Sequence, residues 1–553
     1  MSARLDPISV SVVWNSLLSI SEEMGSTLRR TAYSEAVREG DDFSTGLFDR
    51  RGRLIAQGNY SPGHLGAMPY VMEHVLQRYP ADSFVPGDSV VLNDSYLGSG
   101  HLPDFFMVTP AFRGADLIGF AVNVAHHVDV GGAGPGSQVV QGVTDAYQEG
   151  IRVLPVKLVR GGEFEPDLLQ LILGNVRIPA KVQGDLRAQR NANFVGANRL
   201  CKLYEDMGEA TVEASIDEIL ARSEAQMRKL LCAIPNGTYS FEDSLDDYGT
   251  GTAPIRVAVD VTAQDGTVTV DFSRSSDQVA AGINSYINYT RAYVGFAVRT
   301  IAGALLPQNA GTIGAVKVQA REGCFFNPVH PAPSGGRATV QIRIYEAIAG
   351  AMAQALPKRA MAAFSHWSNP NIGGFDETRQ RRFVMYDLLL GGYGARFDSD
   401  GTEALSPVFS CSNIPVEVHE MNNPVLVRKF AFIPDSGGAG EFRGGTGICK
   451  ELEILCGEAT LSLLGDRHAF EPFGIHGGQP GSLARTTLVR QGEERPLGSK
   501  QVVSLQRGDI VRLELNGAGG CGDPAKRSPK AVADDLADGF ITEQAAKSVY
   551  GGG

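Results

Sequence analysis

Two short segments combine histidine and aspartate at the same spacing. His101 precedes Asp104 in "HLPD", and His126 precedes Asp129 in "HHVD", which also contains His127. Imidazole nitrogens and carboxylate oxygens without thiolates form a mixed ligand set that suits Zn²⁺ or Mn²⁺, and also Fe²⁺. The repeated spacing therefore predicts a divalent metal site. Buried histidines that only make hydrogen bonds are the alternative interpretation.

A third acid-rich segment, "REGDDFSTGLFD", precedes these two and offers further carboxylates. Either Asp41 or Asp42 could complete the ligand set. Only three or four residues can bind the metal directly, so the others would orient the ligands through hydrogen bonds. Glu39 is expected to be a solvated turn residue.

The residues before His126 have the alternating pattern of a half-buried strand, with apolar side chains at positions 120, 122 and 124. Neighbouring strand residues face opposite ways, so a regular strand would place His127 and Asp129 on one face and His126 on the other. His126 and Asp129 converge only if the chain bends. The glycine-rich stretch 131–136 permits such a bend. The sequence leaves open which histidine faces the site.

The remaining patterns predict the elements that must position these residues. Asp6 and Pro7 favour a helix start, and an apolar stripe at helical spacing follows as core or subunit contact. Further helices are predicted at 63–80 and over 185–234, and the "DG" at 265–266 predicts a hairpin turn. The expected fold class is α+β, with an α/β part at 1–235, a mixed α/β domain at 236–404, a β-rich domain at 405–527 and a helical tail at 528–553.

Composition restricts the class of protein. The chain has 553 residues and a formal net charge of −12, with no basic run, so nucleic acid is a poor partner. No apolar run reaches the roughly 18 residues that span a bilayer, so no membrane association is expected. The seven cysteines contain no CxxC pair and favour a cytoplasmic location. Familiar nucleotide and hydrolase motifs, GxxxxGK[ST], GxSxG, HExxH and strand-GxGxxG-helix, are absent.

Many segments resemble one family in the same order along the chain. They include "DDFSTGLFDRRGRLIAQG", "HLGAMP", "NDSYLGSGHLPDFFMVTPAF", "NVAHHVDVGGAGPGS", "SGGAGEFRGGTGI", "GIHGGQPG" and "GAGGCGDPAKRSPKAVADDLADGFIT". The chain resembles the hydantoinase B/oxoprolinase family, the B-type subunits of ATP-dependent hydantoinases and lactamases. This family also includes half of 5-oxoprolinase and a large subunit of acetone carboxylase.

The resemblance implies a metal site and a partner. The metal ligands would be Asp42, His101, Asp104, His126 and Asp129. Asp41 is the alternative to Asp42, and His127 is the alternative to His126. A separate A-type ATPase subunit would use ATP to phosphorylate the amide oxygen of a small cyclic amide, in a hetero-oligomer. The metal would lower the pKa of a water that attacks the activated carbonyl, with Asp41, Asp42 and His126 as candidate catalytic residues.

Two other functions remain open. In the carboxylase branch of the family, the metal would hold an enolate or carboxylating intermediate. The resemblance implies a further histidine ligand downstream in that branch, yet no histidine lies between His127 and His330. This difference favours the hydrolase branch. The second alternative is a non-catalytic scaffold for the ATPase subunit, which would not require acids and histidines clustered in three segments.

Overall fold

The computed structural model of this chain describes residues 6–303, 306–405 and 408–551. Helices alternate with sheets of mainly antiparallel strands in several units, which confirms the α+β, multi-domain class. The first unit contains α1 (Pro7–Thr31), α2 (Glu35–Arg38), β1 (Phe43–Asp49), β2 (Leu54–Gln57), α3 (Pro62–Arg78), β3 (Ser89–Leu92), β4 (Asp104–Arg113), β5 (Asp116–His126), β6 (Val156–Arg160), β7 (Glu163–Phe164), α4 (Pro166–Leu173), α5 (Pro179–Met207) and α6 (Glu209–Leu231).

The seven strands of this unit form one antiparallel sheet in the order β2-β1-β5-β4-β3-β6-β7. Residues at alternate positions face opposite sides, as strand geometry requires. Val122 and Val124 of β5 pack with Leu65 and Met68 of α3. Ala125, the next residue along β5, packs with the layer formed by α1 and α5. The sheet is therefore covered by helices on both faces.

Helix α1 begins as the sequence predicts. The Asp6 carboxylate accepts hydrogen bonds from the backbone N–H groups of Ile8 and Ser9, which satisfies donors that the first turn leaves free. The apolar stripe of α1 is buried against α5, α6 and the sheet. The stripe is thus core of this chain, and its interpretation as a subunit contact is wrong.

The second unit contains β8 (Gly237–Leu245), β9 (Ile255–Gln264), β10 (Thr267–Asp271), α7 (Ile287–Ile301), α8 (Ala310–Ile313), β11 (Val316–Gln319) and α9 (Ala338–Ala355). Its four strands pair in the order β11-β10-β9-β8. Asp265 and Gly266, both with positive φ, form the predicted hairpin turn between β9 and β10. Helix α7 packs against both α3 and α9, which joins this unit to the first.

The third unit contains β12 (Asn371–Asp376), β13 (Arg381–Met385), α10 (Val416–Asn422), β14 (Val425–Ile433), β15 (Gly447–Ile454), β16 (Glu458–Ser462), β17 (Arg485–Arg490), β18 (Glu493–Leu497), β19 (Val502–Gln506), β20 (Ile510–Glu514), α11 (Pro529–Ala537) and α12 (Glu543–Val549). Because β12 pairs with β16, one sheet spans the boundary that we expected at 404. The two short C-terminal helices are confirmed. Across the described helices, none is both long and apolar enough to cross a membrane.

Candidate metal centre

The ends of three neighbouring strands bring acidic and histidine side chains together. Asp104, the first residue of β4, is the direct cross-strand partner of His126, the last residue of β5. Asp42 immediately precedes β1, and its carbonyl accepts a hydrogen bond of 3.0 Å from the His126 backbone N–H. All three side chains border one small cavity, which Gly63 and His64 of α3 also line. Sheet register, rather than a local motif, therefore assembles this cluster.

His101, in the turn before β4, presents a lone pair to this cluster. Its Nδ1 lies 3.1 Å from the Gly335 carbonyl oxygen and its Nε2 lies 2.8 Å from Asp104 Oδ1. A carbonyl only accepts, so Nδ1 carries the proton and Nε2 of the neutral ring carries none. Burial, reinforced by Arg337, lowers the pKa of His101 to about 4. Two acceptors thus face each other at neutral pH, which calls for a cation between them.

His126 lies on the other side of the same carboxylate oxygen. Its Nδ1 is 3.2 Å from Asp104 Oδ1, and its Nε2 is 3.1 Å from Nε2 of Gln138. The Tyr386 ring packs on the imidazole with 4.7 Å between centroids. The same tyrosine donates its hydroxyl to Asp42 Oδ2 at 2.9 Å, and Asp42 Oδ1 lies 3.8 Å from His64 Nε2. The ring and the carboxylate are therefore held by one shared neighbour.

Asp104 is ionised and its orientation is fixed. Burial acts to raise its pKa, but the neighbouring His64 and Arg337 hold the pKa well below its usual range. Arg337 Nη2 donates to Asp104 Oδ2 at 2.7 Å, and Ser99 Oγ donates to the same oxygen. Oδ1 consequently remains directed toward the two histidines. This arrangement is typical of a carboxylate that is oriented by neighbours while one oxygen binds a metal.

His64, near the start of α3, adds a third imidazole. Its Nε2 lies 3.2 Å from Asp104 Oδ2 and 3.8 Å from Asp42 Oδ1. Burial opposes protonation, but the charge of Asp104 and its hydrogen bond prevail and raise the pKa of His64. Nδ1 of this ring is buried without a hydrogen-bond partner. The two carboxylates therefore favour the protonated form of His64.

These side chains surround a cavity of about 20 Å³. That volume is comparable with the roughly 10–15 Å³ needed for a single water-sized sphere. One potential ligand atom from each of His101, Asp104 and His126 lies within 4.8 Å of the others, and all three residues are buried. The unpaired Nε2 of His101 and the imidazole–carboxylate donor set fit a divalent metal ion such as Zn²⁺ or Mn²⁺.

Three residues predicted for the site lie outside this cavity. Asp129 accepts from Arg177 Nη1 at 2.6 Å and also from the Arg177 backbone, because β5 ends at His126 and the chain turns away. The Asp41 carboxylate lies 3.1 Å from Arg29 Nε. His127 faces the opposite side of the sheet, where its Nε2 lies 3.0 Å from Gln189 Oε1. The structure therefore does not bring Asp129, Asp41 or His127 to the cluster.

Several residues of the site were not predicted from the sequence. His64 lies in "GHLGAMP". The one pattern there that could have indicated a site residue is a histidine between two glycines on a predicted helix. A Cβ at Gly63 would lie 2.5 Å from the Tyr293 ring, so glycine is needed for the close approach of α3 to α7. Arg337 and Tyr386 come from units more than 200 residues away in sequence, and no local pattern relates them to Asp104 or Asp42.

Comparison with known proteins identifies the family. The model of the Hydantoinase B/oxoprolinase family matches residues 6–524. The B subunit of a putative D-/L-hydantoinase of Pseudomonas sp. (strain NS671) is 31% identical over 99% of this chain and 95% of its own length. The beta subunit of caprolactamase of Pseudomonas jessenii is 32% identical over 99% of this chain and 96% of its own. The chain belongs to the hydantoinase B/oxoprolinase family.

Solved structures agree with this assignment. The ATP-dependent caprolactamase from Pseudomonas jessenii superposes with a TM-score of 0.92 at 30% identity, covering 99% of this chain and 96% of that chain. Nucleotide-free acetone carboxylase superposes with a TM-score of 0.86 at 20% identity, covering 99% and 79%, which shows a shared fold. The 5-oxoprolinase PfmaA of Pestalotiopsis fici is 28% identical, and this chain spans 42% of its length.

Proposed function

We propose that this chain is the metal-bearing subunit of an ATP-dependent hydrolase of cyclic amides, of the hydantoinase, lactamase or 5-oxoprolinase type. The observation that carries the proposal is the buried contact of 2.8 Å between the unprotonated His101 Nε2 and Asp104 Oδ1. Membership of the hydantoinase B/oxoprolinase family supports the class of reaction.

The proposed ligands are His101, Asp104 and His126, which bring one potential ligand atom each within 4.8 Å of the others. A divalent cation bound there would act as a Lewis acid that lowers the pKa of a coordinated water. Arg337 and Ser99 orient Asp104 so that Oδ1 faces the histidines. His126 Nδ1 can bind the cation when the ring proton is on Nε2. In that tautomer Nε2–H donates to the side-chain oxygen of Gln138, whose buried Oε1 has no other hydrogen-bond partner among the described residues.

We assign proton acceptance to Asp42 in place of Asp41. Asp41 pairs with Arg29, whereas Asp42 Oδ1 faces the cavity because Tyr386 binds the other oxygen. His64 Nε2 lies 3.2 Å from Asp104 Oδ2, whose charge raises the pKa of the ring against the effect of burial, and we assign His64 as the donor of a proton to the departing amide nitrogen.

The proposal requires a partner. The sequence contains no GxxxxGK[ST] loop, and amide resonance makes hydrolysis of an unstrained ring demanding without ATP. We propose that an A-type ATPase subunit phosphorylates the amide oxygen and that the two chains form a hetero-oligomer. The two Pseudomonas relatives are named as the B and beta subunits of their enzymes, which supports a multi-subunit assembly.

The test is to reconstitute this chain with an A-type subunit and to measure ATP turnover against hydantoins, lactams and ketones, with and without bicarbonate. We expect ATP-dependent ring opening by the pair and none by this chain alone. Ring opening by the single chain would contradict the need for a partner. Bicarbonate-dependent turnover of a ketone would assign the carboxylase reaction instead. Full activity of a complex that contains the His101→Ala variant would indicate that this chain is a non-catalytic scaffold.

A further inference from the structure

A second cavity, of about 400 Å³, lies between α3, α7 and β11. Gly66 and Tyr70 of α3 line it, whereas Gly63 and His64 of the same helix line the histidine–aspartate cavity. Helix α7 is shared in the same way. The volume of the second cavity is within the range of roughly 300–1,000 Å³ that is usual for small-molecule sites. The cavity is thus large enough for a ligand and adjoins the same helices as the candidate metal centre.

Cationic side chains line this cavity without compensating acids. Arg291, Arg299 and Lys317 contribute to the wall, and no aspartate or glutamate does. None of the three lies within 4.0 Å of a carboxylate oxygen in the described part of the chain. The neutral lining residues Gln308 and Thr312 can donate further hydrogen bonds. In a chain of net charge −12, this is a local concentration of positive charge.

Arg299 is the most buried of these cations, whereas Arg291 and Lys317 are exposed. Its Nη1 donates to the Leu306 carbonyl at 2.7 Å, but its Nε is buried and has no hydrogen-bond partner among the described residues. Burial lowers the pKa of Arg299 to about 10, so the guanidinium still carries its charge at neutral pH. A buried charge without a counter-ion is destabilising, and a bound anion would remove that penalty.

We propose that this cavity binds a phosphate-type anion, either inorganic phosphate or the phosphoryl group of a small organic molecule or nucleotide. Two guanidinium groups supply forked N–H donors that match phosphate oxygens, and Lys317 adds a compact positive charge. Three cations suit a dianion better than a single carboxylate. The inference does not depend on the metal site, because anion binding can be measured on this chain alone.

The test is calorimetric titration of the full chain, treated with a chelator, with inorganic phosphate at constant ionic strength. We expect saturable binding of one phosphate. Arg299→Gln and Lys317→Gln should each weaken binding about tenfold or more, because each removes a charge-assisted hydrogen bond. Arg187→Gln, at an exposed position on α5, is the matched control and should bind phosphate as the wild type does.

Parallel titrations identify the source of the phosphoryl group. Phenyl phosphate, ATP and acetate are compared with inorganic phosphate. Tighter binding of one phosphorylated ligand supports the proposal and names its class, whereas acetate binding as tightly as phosphate overturns it. Absence of phosphate binding, or unchanged affinity in both cavity variants, also overturns it. If Arg299→Gln does not fold, as judged by its melting curve, Lys317→Gln decides. The His101→Ala variant should still bind phosphate, which separates this inference from the proposed metal chemistry.

Discussion

His126 and Asp104 are direct partners across β5 and β4, and His126 Nδ1 lies 3.2 Å from Asp104 Oδ1. A slip of one residue in this register would bring His127 to the position of His126 and turn every side chain of the strand to the other face. The buried apolar side chains on both faces of β5 prevent such a slip. The chemistry of the site therefore depends on the packing of the sheet.

Replacement of His101 or His126 by alanine should remove most of the bound metal. Each variant loses one of three or four ligands, and even residues that only orient ligands typically contribute about 10- to 100-fold in affinity. His127→Ala should retain metal, because that ring faces Gln189 on the other side of the sheet. Metal content and melting temperature of the three purified variants provide the measurement. Full metal in both His101→Ala and His126→Ala would contradict the site.

His64→Ala should lower turnover of the reconstituted pair without removing the metal completely. The variant removes the imidazole next to Asp104 and Asp42, which we assign as a proton donor. His74→Ala is the matched control on the same helix. Among the described residues, the His74 side chain has one hydrogen-bond partner, Gln77. The pH dependence of kcat is the decisive measurement. An unchanged profile for His64→Ala would exclude this residue from proton transfer.

Arg337→Gln should destabilise the metal-free chain by about 3–5 kcal/mol. The change removes the guanidinium that binds one buried oxygen of Asp104, which is more costly than the loss of an exposed pair. Arg160→Gln removes an exposed pair with Glu165 and should change the free energy of unfolding by less than about 1 kcal/mol. Denaturant unfolding measures both. If Arg337→Gln changed the free energy of unfolding as little as Arg160→Gln does, Arg337 would not orient Asp104.

Glu149 should make the chain less stable as pH rises. Burial raises the pKa of Glu149 to about 8, against the effect of hydrogen bonds from the Ser334 and Gly335 backbones. Between the unfolded pKa near 4.5 and about 8, the folded state binds more protons than the unfolded state. The Glu149 contribution to stability is therefore complete below 4.5 and decreases by up to about 1.4 kcal/mol per pH unit until the pH exceeds 8.

Glu149→Gln keeps an acceptor for both N–H groups but does not titrate. Unfolding free energies at pH 5 and pH 8 should therefore differ less in this variant than in the wild type. Glu163→Gln, at an exposed position of β7, is the control and should leave the pH dependence unchanged. Equal pH dependence in wild type and Glu149→Gln would show that Glu149 is ionised throughout this range.

Gly66→Ala should destabilise the chain by about 1–3 kcal/mol. A Cβ at this position would lie 2.5 Å from Ala292 Cβ and 2.6 Å from its Cα, so α3 and α7 would have to separate. Gly295→Ala on α7 is the matched control. A Cβ there meets nothing within 4 Å, and alanine is the better helix former by about 1 kcal/mol. Stability of Gly66→Ala equal to the wild type would contradict this helix contact.

Local patterns in the sequence determined most of the elements around the site. Helix α1, the hairpin at Asp265 and Gly266, and the two C-terminal helices follow from caps, turn residues and apolar periodicity, which act over a few residues. Residue type and spacing also singled out His101, Asp104 and His126, three residues that the structure brings together. A set of imidazoles and carboxylates is visible in sequence because its chemistry resides in the residue types.

Only the tertiary structure decided which of these side chains meet. The end of β5 at His126 turns Asp129 toward Arg177, and strand alternation directs His127 toward Gln189. His64, Arg337 and Tyr386 complete the cluster from segments that no local period relates to it. Such contacts depend on how helices pack on the sheet and on one another. Close packing brings together residues that are hundreds of positions apart in sequence, and short-range sequence patterns do not predict such contacts.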